Sequence, residues 1–135
     1  MATITNQAAL SYNGVTTLSN IAVGELVEVL TATKTAADTT YTAGGVKTFV
    51  ISLVNSSAAA LTGLTVTDTL GSYTFSGNTL YPLTYVTGSL LYYVNGALQA
   101  TPTVTATAPL TVTGVTVPAG GSAMLIYTAR VNEYA

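Results

Sequence analysis

"LTATKTAADTTYTAGGVKTFVISLVNSSAAALTGLTVTDTLG" runs from Leu30 to Gly71, and most of it alternates with a period of two. That period belongs to a strand, because successive side chains point to opposite faces of the pleat. Leu30, Ala32, Lys34 and Ala36 share one face, and Thr31, Thr33 and Thr35 share the other. A turn at Ala43 to Gly45 leads into "VKTFVISLVN", where Phe49, Ile51 and Leu53 form one row and Val46, Val50 and Val54 the second. A strand apolar on both faces is either central in its sheet or covered from outside. Further on, Leu64, Val66, Asp68 and Leu70 fall on one face. A lysine and an aspartate therefore travel with the apolar rows.

The flanking sequence repeats the strand signal. "LSYNGVTT" predicts a hairpin turned at Asn13-Gly14, and "LLYYVNGALQA" a second one at Asn95-Gly96, both with the residue pair that primed two-residue turns prefer. The tyrosine-rich middle, Tyr73 to Tyr93, reads as core and rim rather than a sugar-stacking platform. "TVTATAPLTVTGVTV" predicts further strand, Pro118 to Gly121 a turn, and "SAMLIYTARVN" a last strand. No segment carries a helical period, so the chain is predicted to be all-β, a sandwich or a barrel.

Composition narrows the function classes. A chain of 135 residues suits one domain. It is 49% hydrophobic and only 6% charged, and no charged residue lies between Asp68 and Arg130. Such a surface is suited to contact rather than to solvation. The net charge of -2 offers no basic stripe for nucleic acid and no polybasic membrane patch. Without cysteine or histidine there is no thiolate or imidazole ligand and no catalytic triad base. The acids Glu25, Glu28, Asp38, Asp68 and Glu133 have no calcium-loop spacing, and the glycine turns lack the lysine of a phosphate loop. No cofactor, metal or small-molecule substrate is expected, and no enzyme beyond self-bonding. Asn55-Ser56-Ser57 matches a glycosylation sequon and reads as a turn. Gly, Pro, Asn and Thr interrupt every uncharged run, so membrane insertion is not expected. "MATITNQAAL" lacks the basic start and apolar core of a classical secretion signal.

The motifs from Leu30 to Gly71, with "VPAGGSAMLIYTARVN" near the end, resemble the prokaryotic surface repeat known as domain of unknown function 11. The likeness lies in a KTA strand, a Tyr before a glycine turn, an alternating strand ending in Asn, a TVTDTL strand and a strand ending in VN. It covers most of Leu30 to Asn132, with the tyrosine-rich middle less typical. The resemblance implies an immunoglobulin-like antiparallel β-sandwich, usually in tandem on large cell-surface proteins. In that pattern the VN strand is followed by an N-x-A-x-V strand and a hairpin partner ending in S-N-x-x-V. Here "NQAALSY" and "LSNIAV" match those pieces, but they precede the domain.

The expectation that follows is a sandwich over residues 28–135 lacking its closing strand, a linker at 23–27, and a donor hairpin at 1–22. An unclosed sandwich exposes an apolar seam and unpaired backbone groups, which strand addition satisfies. Passing the hairpin to a neighbour through Asn6, Ala8, Leu10, Tyr12, Ile21 and Val23 would build an open head-to-tail homopolymer, a pilus-like filament on a cell or spore surface. Two alternatives stay open: the hairpin folds back on its own domain, or the chain is a monomeric adhesive or carbohydrate-binding module.

Asn6 alternates with Ala8 and Leu10, so it joins Lys34 and Asp68 on inward phases. Buried charges are costly unless paired or chemically consumed. One outcome is a plain Lys34–Asp68 ion pair. Another is an isopeptide bond as in Gram-positive pilins, in which the lysine amine attacks the Asn carboxamide and ammonia leaves. There burial lowers the amine's pKa and raises the acid's. Lys47 and Asn132 are the alternative partners.

Overall fold

In a computed structural model of the chain, residues 3–25 and 28–133 are described, and among them there is no helix. The chain opens with four short strands, β1 (Thr3–Asn6), β2 (Ala9–Tyr12), β3 (Val15–Leu18) and β4 (Ala22–Glu25). β2 and β3 form the hairpin foreseen at Asn13-Gly14, whose φ angles of 49° and 75° suit a primed turn. β1 pairs antiparallel with β4, from Thr3 opposite Glu25 to Asn6 opposite Ala22. All four strands therefore make one ribbon. Val23, expected in a linker, is strand paired with Thr5, and residues 26 and 27 of that linker lie outside the described residues.

The main body begins with β5 (Leu30–Ala36), β6 (Val46–Asn55) and β7 (Leu61–Asp68). It continues through β8 (Tyr73–Phe75), β9 (Asn78–Leu80), β10 (Leu83–Tyr85), β11 (Leu91–Val94) and β12 (Ala97–Gln99), and ends with β13 (Thr103–Thr107), β14 (Leu110–Val117) and β15 (Ser122–Val131). "TVTATAPLTVTGVTV" is thus two strands around a turn at Ala108-Pro109. Every pairing is antiparallel. The larger sheet runs β12-β11-β15-β6-β5, with β10 also on β15, and the smaller runs β13-β14-β7.

Alternation decides what each sheet buries. Ala123, Leu125, Tyr127, Ala129 and Val131 of β15 are buried while Met124 and Arg130 are exposed. β6 sends Ile51 and Leu53 inward and leaves Val46 and Val54 exposed. The strand is central, between β5 and β15, and its second apolar row stays on the outer face, with Val46 and Val54 exposed and Val50 half-buried. Opposite them, Leu110, Val112, Val115 and Val117 of β14 belong to the same core, with Leu64 and Val66 of β7 packed against it. Gly63 and Gly114, at φ +65° and +75°, sit where the β7–β14 register shifts, and these bulges restore the inward phase on each strand.

Leu125, 1% exposed, lies in the middle of this core. Leu125→Ala is expected to lower unfolding stability in urea by about 2–5 kcal/mol. Met124→Ala, on the outer row, should change it by no more than about 1 kcal/mol.

Candidate functional site

Both sheets end at the same place. β5 is the last strand of the larger sheet and β7 of the smaller, and among the described residues neither has a second strand partner. Between these edges lies an open groove of about 520 Å³. Its walls are Leu30, Ala32, Ile51, Leu53, Leu64 and Val66, with threonines of β5 and β7 at the rim. Unpaired N–H and C=O groups beside apolar side chains make such a gap a template for an added strand.

Lys34 and Asp68 belong to the same groove, with Lys34 Nζ 2.7 Å from Asp68 Oδ2. Asp68 is nearly buried at 5% side-chain exposure, while the lysine keeps 39% and its charge partly in solvent. Tyr127 on β15 donates its hydroxyl to the same Asp68 oxygen, and Oδ1 accepts the Leu70 backbone N–H at 2.9 Å. Leu70 has φ +53° and is fully buried, so this bond holds the chain where it turns sharply after β7. Phe49 completes the setting: Lys34 Nζ stands 4.6 Å from its ring centre, and the ring stacks on Tyr127 at 5.5 Å.

Burial alone would push the Asp68 carboxyl up. Hydrogen bonds from Lys34, Tyr127 and the Leu70 amide, with the lysine charge, outweigh it and hold the group below its ordinary 3.8. This corrects the raised acid expected for isopeptide chemistry: three donors converge on the carboxylate and favour its charged form. Burial first, then the bond to Asp68, pushes the Tyr127 phenol well above its usual value.

The other singled-out residues lie apart from this pair. Lys47 donates to the carbonyls of Asp38 (2.7 Å) and Thr40 (3.3 Å) and sits over Tyr41. Asn132 donates to the Tyr81 carbonyl and accepts from Thr84. Asn6 is exposed on β1 of the ribbon. So are Ile4, Leu10, Tyr12, Val15, Leu18, Ile21 and Val23, each between 55 and 74% exposed. The ribbon therefore does not fill the groove of its own chain. A two-stranded ribbon with this much bare apolar surface is marginal in water by itself.

Asn55 was read from sequence as the Asn that ends a strand and as the start of a sequon turn. It is 1% exposed: its Nδ2 donates to the carbonyls of Ala59, Val117 and Pro118, and its Oδ1 accepts from Ser57. Its place at the end of a core-facing row, in phase with Leu53, was the signal for burial. The carboxamide ties the end of β6 to the end of β14. Among the described residues no acidic, His or Cys group could hold a metal, and no helix is long and apolar enough to cross a membrane.

Comparison with known proteins gives no match, whether to a family model, a curated protein or a solved structure.

A carboxyl whose folded pKa is depressed adds stability that is present above its unfolded pKa and is lost as pH falls through the folded one. Melting temperature should therefore hold from about pH 6 to about pH 4 and then fall. Asp68→Asn is expected to flatten that acid limb and to cost about 1–3 kcal/mol at neutral pH, because the buried Tyr127 hydroxyl and Lys34 lose a charged acceptor.

Proposed function

We infer that this chain is a structural subunit that polymerises head to tail, the ribbon of residues 3–25 from one copy filling the β5–β7 groove of the next. The observation that carries the reading is the coexistence, in one chain, of an apolar groove between two unpaired edges and an exposed apolar ribbon. Each has what the other lacks. The groove offers backbone donors, acceptors and a dry wall, while the ribbon brings two strands and Leu10, Tyr12 and Val15 on one face.

A ribbon seated there would pair one strand with β7 and bring the other beside β5, closing the body into the immunoglobulin-like sandwich that the surface-repeat resemblance implies. The contact is heterologous, because groove and ribbon are different surfaces, so repetition extends a filament rather than closing a dimer. An interface on the order of 1,000 Å² is what such an insertion would need to be specific. A filament also accounts for the scarcity of charge, since much of the surface that a lone monomer would bare becomes contact. Location on the exterior of a cell or spore follows from the resemblance alone.

Deleting residues 1–25 tests this. Negative-stain images of the purified full chain should show filaments and those of the deletion none, while the deleted chain added in excess should cap growth. Filaments that persist without the ribbon would remove the reading. A sharp monomer peak with a saturable glycan signal would place the chain among adhesive modules instead.

The charged form of Asp68 beside Lys34 favours an ion pair at the joint over a covalent lock. Boiling in SDS should therefore return monomers of full intact mass, whereas a loss of one ammonia per subunit with an SDS-resistant ladder would establish the isopeptide bond.

A further inference from the structure

Behind its rim of threonines, the groove is walled by apolar side chains except where Lys34 and Asp68 meet. The ribbon face that period two assigns to its first strand, Ile4, Ala8, Leu10 and Tyr12, is interrupted by one carboxamide, Asn6. The first strand is also the regular one. From Asn6 to Ala9 is a step of three residues, while their partners Ala22 and Leu18 are four apart, so the extra residue lies on the returning strand. Ser19, in that bulge, bonds both the N–H and the C=O of Ala8. On the receiving side, the edge of β7 is regular from Leu64 to Asp68, between the Gly63 bulge and the turn at Leu70.

We propose that Asn6 is the register peg of assembly: it seats against the Lys34–Asp68 pair of a second copy, with Ala8 opposite Val66 and Leu10 opposite Leu64, the ribbon's first strand running antiparallel to β7. This rests on the strand-exchange reading above and adds which residue meets which. Asp68 already receives three donors, which leaves one of its roughly four acceptor positions for the Asn6 amide N–H. The Lys34 ammonium has N–H donors to spare for the Asn6 carbonyl.

Other alignments fail on the same chemistry. Parallel entry with Asn6 at Asp68 would send Ala8, Leu10 and Tyr12 past the turn at Leu70 and leave the groove to Ile4. A slip of one residue turns the apolar set out of the groove. Moving by two instead puts the carboxamide against Val66, among apolar walls with its hydrogen bonds unmade, which should disfavour that register by about tenfold or more.

The chain has no cysteine, so disulfide trapping has no background. Two full-length variants are compared under mild oxidation: Ala8→Cys with Val66→Cys, in register, and Ala8→Cys with Leu64→Cys, slipped by two. Directly opposed residues meet the Cα spacing of a disulfide and diagonal ones do not. The in-register pair should give an intermolecular ladder on a non-reducing gel, at least about tenfold stronger than the slipped pair. Adding Asn6→Leu, on the exposed ribbon where it leaves the body's folding alone, should bring the two yields toward equality. Equal yields in the parent background, a ratio that Asn6→Leu does not move, or filaments with no ladder from either pair would overturn the register peg and leave strand exchange standing. Cross-links confined within single chains, or neither ladder nor filaments from variants that remain folded, would instead overturn strand exchange itself. Mixing chains that carry only Ala8→Cys with chains that carry only Val66→Cys checks that each link joins two molecules.

Discussion

A β-strand with only one neighbour leaves half its backbone groups facing outward, and a sandwich tolerates this where those groups meet water. Here the outer edges of β5 and β7 open onto the same gap, and the apolar row behind them opens with them. Water can satisfy the amides but not the half-buried Leu30, Leu64 and Val66. Whatever fills the gap must bring both backbone pairing and apolar side chains, and only an added strand brings both. In the proposed assembly the exposed ribbon meets that requirement, because a hairpin with no third strand or covering layer has nowhere within itself to bury its side chains.

Asp68 is where the body meets that requirement with a charge. A carboxylate at the edge of an apolar row is costly, and the fold offsets the cost by converging a phenol, an ammonium and a backbone amide on it. The arrangement joins three parts of the chain: β5 through Lys34, β15 through Tyr127 and the turn at Leu70. It also leaves a charged mark in a groove whose walls behind the threonine rim are otherwise apolar. Polar marks on apolar contacts discriminate between registers because a mismatch strands hydrogen-bonding groups, whereas apolar contacts alone slide.

Asn55 does comparable work at another end of the body, where three carbonyls converge on its amide. In both places a side chain in a core-facing row is kept polar to hold backbone at the end of a strand, and among the described residues no buried polar atom of either is without a partner. With so few charges in the chain, these neutral and paired groups do much of the work of specifying how the loops sit.

Local chemistry made much of this legible in advance. Alternation located β5, β6, β7 and β15 and sorted the side chains of the first three into rows, since the pleat imposes period two on any strand with one face buried. Asn-Gly pairs located two hairpins, since few other residues accept positive φ at both turn positions. Lys34 and Asp68 were marked by riding on apolar rows. The sequence by itself could not say that Tyr127, 59 residues from Asp68, would complete that site and keep its carboxyl charged, or that Val23 would pair back onto β1 rather than link. Nor could it show that the β5 and β7 edges open onto one groove. Those outcomes depend on which strands become neighbours and how two sheets stack. Such contacts join residues far apart in the chain, and no local pattern of side chains encodes them.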